Sequence, residues 1–174
     1  GKKLDEIKTE LESNNTSKTS HFYKFECDVS NTGRLEEIAE MIIDFEKQVD
    51  VLVNNAGISP KFQGKKRQFI DIPLQEWQSV MDINLTASFL VTQVCLRPMM
   101  SNMKGRIVNI TSQASRTRTP VPGAHYAASK AAIAGYTRIL AGEIAQCGIT
   151  VNCIAPGRIE SKMTQEVGDL VNAE

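Results

Sequence analysis

Tyr126 and Lys130 stand four residues apart in the run HYAASK, inside a longer stretch of small and long-chain residues that reads as helix. That spacing places both side chains on one helical face. A phenol beside an ammonium group is a candidate proton donor. A free tyrosine titrates near ~10, so releasing and recovering a proton near neutral pH asks the site for roughly three units, on the order of 4 kcal/mol of anion stabilisation. A fixed positive charge is one source of that stabilisation. Alone, the pair has a second reading, a helical tyrosine beside a lysine whose stem lies along apolar surface. His125 directly precedes the tyrosine. Its neighbouring helical position points it elsewhere, which leaves it a loop-end or substrate-contact role.

Such a pair needs a scaffold, and the chain supplies alternating elements. Leu4, Ile7 and Leu11 recur at helical spacing, and a polar run follows. HFYKFECDV, residues 21–29, reads as a short aromatic-rich strand. Ser30, Asn31 and Thr32 are capping candidates before an amphipathic helix that carries Leu35, Ile38, Ile42 and Phe45. VDVLV, residues 49–53, is a β-branched run that hands over to Asn54, Asn55, Ala56 and Gly57. After a long basic loop, Pro73 and Leu74 open a helix in which Trp77 reads as core. That helix breaks near Asn84 and continues to about residue 100 with nearly every face apolar or small, so burial on more than one side is expected. RIVNIT and ITVNCIA are further buried strands, ending at Ser112 and at Pro156 with Gly157. The tail from 159 onward is polar and mildly helical. Together these elements predict one α/β domain over residues 1–174, a doubly wound parallel sheet with helices on both faces and a ligand crevice outside the carboxyl ends of the strands.

Composition narrows the partners. Twenty basic and twenty acidic residues cancel, so nothing favours nucleic acid or an anionic membrane surface. Cys27, Cys95, Cys147 and Cys153 show no metal-ligand spacing; they read as reduced core thiols, which suits a cytoplasmic protein with no metal site. No apolar run is expected to reach membrane-spanning length.

NNAG ending at Gly57, DIN ending at Asn84, IVNITS ending at Ser112, YAASK from Tyr126 to Lys130, and APG ending at Gly157 occur in one order. In order and spacing they resemble the short-chain dehydrogenase/reductase family, in its compact single-domain subgroup. The resemblance implies a Rossmann-like fold and hydride transfer between NAD or NADP and a small-molecule carbonyl or secondary alcohol. It implies Tyr126 as acid/base, Lys130 tuning it, Ser112 orienting the substrate oxygen, and Asn84 holding a water in a proton relay, although an asparagine at a helix break is also a common local cap. For the cofactor it implies Asp28 and the Val29 backbone at the adenine, and Asn55, Ala56 and Gly57 near a ribose. Tyr126 and Lys130 would lie at the nicotinamide end, with Pro156, Gly157 and the Ile159 backbone beneath the ring. Asp28 has the alternative of capping the following helix, and Asn54 that of tying strands together. Ser161 stands where the family often has threonine.

The departures are also informative. The family's opening strand, its TGxxxGxG loop and its second strand are not in these residues, nor is its last strand, so the expectation is a domain truncated at both ends. In the family's strand order, residues 21–29 and 49–53 would lie three strand spacings apart, about 14 Å. Met103 and Cys147 stand where acyl-carrier reductases often have arginines. A homodimer or homotetramer through residues 74–103 and 126–146 is implied by the resemblance. Two alternatives remain at this point: a non-catalytic binding or scaffold protein, and an epimerase or dehydratase with the same site.

Overall fold

The computed structural model describes residues 2–14 and 21–159. In chain order the elements are α1 (Lys2–Ser13), α2 (Thr32–Glu46), β1 (Val51–Asn54), α3 (Leu74–Met81), α4 (Ala87–Ser101), β2 (Gly105–Ile110), α5 (Ala124–Glu143) and β3 (Ile149–Ile154). A π-helical turn, Asp82–Thr86, joins α3 to α4 without interruption.

The three strands form a parallel sheet in the order β1-β2-β3. Its register explains which residues face the core. Leu52, Ile107 and Val151 align across the sheet, as do Val51, Arg106 and Thr150 one position earlier, and alternate positions point to opposite faces. The first row packs beneath the helices: Met99 of α4 joins Ile107, Ile144, Ile149 and Val151, with Leu52, Leu96 and Leu140 around them. Burying these aliphatic side chains stabilises by about 1.5–3 kcal/mol each. The second row lies open, with Val51 59% and Val53 55% exposed. So although the strand sequences are continuously apolar, among the described residues only one face is closely covered, and the burial of β2 and β3 alternates.

Helix boundaries follow local chemistry. Asn31 caps α2 by accepting from the Arg34 amide at 3.1 Å, and the chain leaves the helix through Lys47 in a left-handed conformation, its amide on the Ile43 carbonyl at 2.7 Å. Leu35, Ile38 and Ala39 are the buried face of α2, which packs on α4, whereas Phe45 is 70% exposed and meets Tyr23 edge to face.

Several expectations need correcting. Residues 21–28 form no strand, because β1 is an edge of the sheet and no described strand pairs with them. Trp77 is only half-buried, since α3 is amphipathic and its buried position is Val80. The capping role proposed for Asp28 belongs to Asn31. The 28-residue helix over 74–101 is long and apolar enough to cross a membrane by length and composition, contrary to the expectation of no such run. Here its Val80, Ala87, Val94 and Met99 are buried in the domain, together with the polar Asn84, Ser88 and Thr92. The tail from residue 160, including Ser161, lies outside the described residues.

Candidate active site

Parallel strands deliver three turns to one end of the sheet. Asn55, Ala56 and Gly57 follow β1, Ser112 follows β2, and Pro156 with Gly157 follow β3. The last two turns are tied together, for the Gln113 amide donates to the Pro156 carbonyl at 2.9 Å and the Thr111 amide to the Ile154 carbonyl at 2.8 Å. Ser112 is extended and begins a short 3-10 turn, and its Oγ accepts from the Ala114 amide at 3.2 Å.

Helix α5 brings Tyr126 and Lys130 to this end. The Ser112 hydroxyl acts on the phenol of Tyr126: burial pushes the tyrosine pKa up and the neighbouring Ser112 draws it partly back, leaving it above the ordinary value. Lys130 is 4% exposed; its Nζ donates to the Ile110 carbonyl at 2.8 Å and lies 5.8 Å from the centroid of the Tyr126 ring. Burial pulls its pKa down. The sequence reading asked Lys130 to lower the tyrosine pKa, but desolvation is the larger effect in this geometry, and the ammonium is engaged by a carbonyl.

Asn84 lies in the π turn and is fully buried. Its Oδ1 accepts from the Ile58 amide at 2.7 Å, while Nδ2 donates to the Ile58 carbonyl at 3.0 Å and to Ser129 Oγ at 3.1 Å. Ser129 Oγ in turn donates to the Tyr126 carbonyl at 2.8 Å. Both amide hydrogens are therefore used, and one lone pair of Oδ1 remains. Gly57 lies beside this oxygen: a Cβ there would lie 3.3 Å from Asn84 Oδ1 and 3.4 Å from Lys130 Nζ. The missing side chain leaves room between an acceptor and a cation.

The other sequence-derived positions are placed less closely. Asn55 and Ala56 are exposed and Gly57 half-buried, an open surface at the strand end. Pro156 is half-buried, and Gly157 and Ile159 are exposed. Asp28 and Val29 precede α2. Asp28 Oδ1 accepts from the Ser30 amide at 2.9 Å and from Ser30 Oγ at 2.8 Å, bonds that hold its carboxyl below the usual range. Its described hydrogen bonds are all local. Asn54 ties elements together, with Nδ2 donating to Asn109 Oδ1 at 2.8 Å and Thr92 Oγ1 at 2.9 Å.

Sequence reasoning missed a second group beside the tyrosine. His125 is fully buried, with Nε2 3.0 Å from Glu76 Oε1 and Nδ1 accepting from the Tyr126 amide at 2.8 Å. The loop-end or substrate-contact role expected for it does not fit a ring so enclosed. Its partner Glu76 lies 49 residues away in sequence, so no local spacing signals the contact.

A serine, a tyrosine and a lysine thus gather at the carboxyl end of a parallel α/β sheet, where such sheets hold their ligands. The chain belongs to the short chain dehydrogenase family, whose profile matches residues 1–171. It is 37% identical over 142 residues to a 3-oxoacyl-(acyl-carrier-protein) reductase of Synechocystis, an alignment covering 82% of this chain and 55% of that protein. A Brucella melitensis 3-oxoacyl-(acyl-carrier-protein) reductase with bound NAD superposes with a TM-score of 0.72 at 39% identity, over 81% of this chain and 53% of that one. A Beutenbergia cavernae structure assigned as an NAD(P)-dependent gluconate 5-dehydrogenase, with NADP at low occupancy, gives a TM-score of 0.81 at 31% identity, over 92% and 60%. The chain thus spans about half the length of the first curated relative.

Proposed function

We propose that the protein containing this chain is an NAD- or NADP-dependent oxidoreductase that interconverts a carbonyl and a secondary alcohol, within one Rossmann-type domain. The observation that carries the proposal is buried Lys130, 5.8 Å from the Tyr126 ring centroid, at the strand end where Ser112 opens its turn. Residue types fit a dinucleotide: Gly57 leaves open a space that a Cβ would fill against Asn84 and Lys130, and exposed Asn55 and Ala56 continue the same surface. Asn55, Ala56, Gly57 and Lys130 would hold the ribose region, Pro156, Gly157 and the Ile159 backbone the nicotinamide, and Asp28 and Val29 the adenine. When bound, the nicotinamide supplies the hydride.

The residues of the chain do the rest. Ser112 donates a hydrogen bond to the substrate oxygen as charge develops there, and Tyr126 passes it a proton. A tyrosine kept above its ordinary pKa is protonated at neutral pH, the form that reduction requires. Lys130 steadies the phenolate that remains, and Asn84 Oδ1, beside the space at Gly57, would accept from a water that returns the proton. The named relatives make a 3-oxoacyl ester a sensible first substrate, although Lys104 is paired with Asp50 at 2.8 Å and Arg106 with the Gly105 and Gly148 carbonyls, so neither is an obvious dock for a carrier protein. Exposed Phe89, Met100 and Ile139 on α4 and α5 suit a subunit contact, which light scattering of the full-length protein would detect. The decisive test is Tyr126→Phe in the full-length protein. Turnover of ethyl acetoacetate with NADH or NADPH should fall by at least about a hundredfold, with cofactor affinity retained. Unchanged turnover would reject the assignment.

A further inference from the structure

Helix α5 starts without the usual help. Its N-cap is Gly123, which offers no side-chain acceptor, so an amide in the first turn needs another partner. For the Tyr126 amide that partner is Nδ1 of His125, at 2.8 Å. Because the amide must donate, Nδ1 must be the unprotonated nitrogen, which puts the ring proton on Nε2. That N–H points at Glu76 Oε1, 3.0 Å away. The other carboxylate oxygen, Oε2, accepts from Arg67 Nε at 2.8 Å, and the Arg67 guanidinium lies 4.1 Å from the Phe62 ring centroid. The chain Arg67–Glu76–His125 therefore selects one tautomer and points its lone pair at the backbone of the tyrosine.

The ring has little freedom. It is fully buried, and a Cβ on Gly123 would fall 2.5 Å from His125 Cε1 and 2.9 Å from Nδ1, so glycine is the residue that admits the ring beneath the helix start. From the other side, Ser129 holds the Tyr126 carbonyl and is itself held by Asn84. The tyrosine backbone is gripped at its amide by His125 and at its carbonyl by Ser129, both of α5, and these are held in turn by Glu76 of α3 and Asn84 of the π turn.

We infer that His125, oriented by Glu76 and Arg67, is a positioning residue that sets the Tyr126 phenol against Ser112, acting through the amide and not through the substrate. The inference rests on Tyr126 being the acid/base of the proposed reaction. It makes a distinction between two amide replacements of similar size. Asparagine places an oxygen where Nδ1 stands and can accept from Tyr126. Glutamine places an N–H where Nε2 stands and can reach Glu76, but leaves the tyrosine amide without its acceptor.

The full-length His125→Asn and His125→Gln variants are compared for ethyl acetoacetate reduction, with NADH or NADPH binding followed by fluorescence. Positioning predicts that His125→Asn keeps kcat within about threefold, while His125→Gln loses roughly ten- to a hundredfold in kcat with KM and cofactor affinity little changed. Equal kcat in the two variants, or a loss confined to KM, overturns the inference. If His125→Gln does not fold, Glu76→Gln decides. Its amide can present a donor to Nε2 and release the tautomer, so kcat should fall with binding intact, and an undiminished kcat counts against the inference. Tyr126→Phe, run beside them, separates the two ideas. An active Tyr126→Phe defeats the acid/base assignment itself, whereas an inactive Tyr126→Phe with a fully active His125→Gln defeats only the positioning.

Discussion

Asn109→Ala tests the buried polar seam that joins the strands to the helices carrying the site. Asn109 is fully buried in β2; its Oδ1 accepts from Asn54 Nδ2 of β1 at 2.8 Å, and its Nδ2 donates to Thr137 Oγ1 of α5 at 2.9 Å. Thr137 goes on to the Ile133 carbonyl at 2.7 Å, and Asn54 to Thr92 of α4, which bonds the Ser88 carbonyl at 2.6 Å. Alanine removes two hydrogen bonds at about 1 kcal/mol each net, and strips Thr137 of a donor in a buried setting, which adds about 1 kcal/mol or more. The expected loss is about 3 kcal/mol, read as a lower urea midpoint at constant m-value in the full-length protein. Asn54→Ala should cost less, because Asn54 is only half-buried and its partners keep other bonds. A double-mutant cycle between the two positions should show coupling of about 1 kcal/mol. A loss below about 1 kcal/mol for Asn109→Ala, or no coupling, would refute the account of the seam as a shared network.

Other perturbations follow from single contacts. Gly105→Ala would place a Cβ 2.5 Å from Met99 Sδ and 2.9 Å from Met99 Cβ, in a core where Met99 is fully buried; overpacking should cost about 1–3 kcal/mol, measured as a drop in urea midpoint. Burial pushes the Cys95 thiol up to about 11, so the folded state keeps its proton longer than the unfolded state does. The stability this gives is complete below the ordinary thiol range near ~8.5 and is lost as the pH rises toward the folded value, at most about 3 kcal/mol. Cys95→Ala should therefore lose less Tm than the parent between about pH 8 and the alkaline end; equal losses would contradict it. The same logic applied to Tyr126 predicts direction-dependent pH profiles. With its pKa above the ordinary value, the neutral phenol serves reduction across neutral pH, whereas alcohol oxidation needs the phenolate and should climb into the alkaline range; an oxidation optimum on the acid side would contradict the sign.

Much of this was legible in the chain. The β-branched runs, the apolar stripe of α2, and the break near Asn84 declare themselves by period and residue type, and they match β1, α2 and the π turn. Tyr126, Lys130 and Ser112 could be named because their motifs are local and the sheet's polarity brings strand ends together. What escaped depends on contacts between distant residues. Residues 21–28 have the composition of a strand but form none, since a strand exists only through a neighbour's hydrogen bonds. The loop-end or substrate-contact role that the local sequence gives His125 fails because distant Glu76, together with Gly123, encloses the ring. The direction of the Tyr126 shift depended on burial, which neighbouring residue types do not report.

The π turn carries a consequence for how the site is encoded. Its Ala87 amide reaches back to the Asp82 carbonyl, five residues instead of four, so this helix holds one residue more than an unbroken α-helix of the same course. Each residue advances a helix by about 100°, so removing one residue between 82 and 86 would heal the ladder and swing Asn84 away from Ile58, or swing α4 away from the sheet. A deletion there could leave every remaining residue type unchanged, satisfy more regular hydrogen bonds, and still erase the amide that grips Ile58 and Ser129. The site is written in chain length as well as in residue identity.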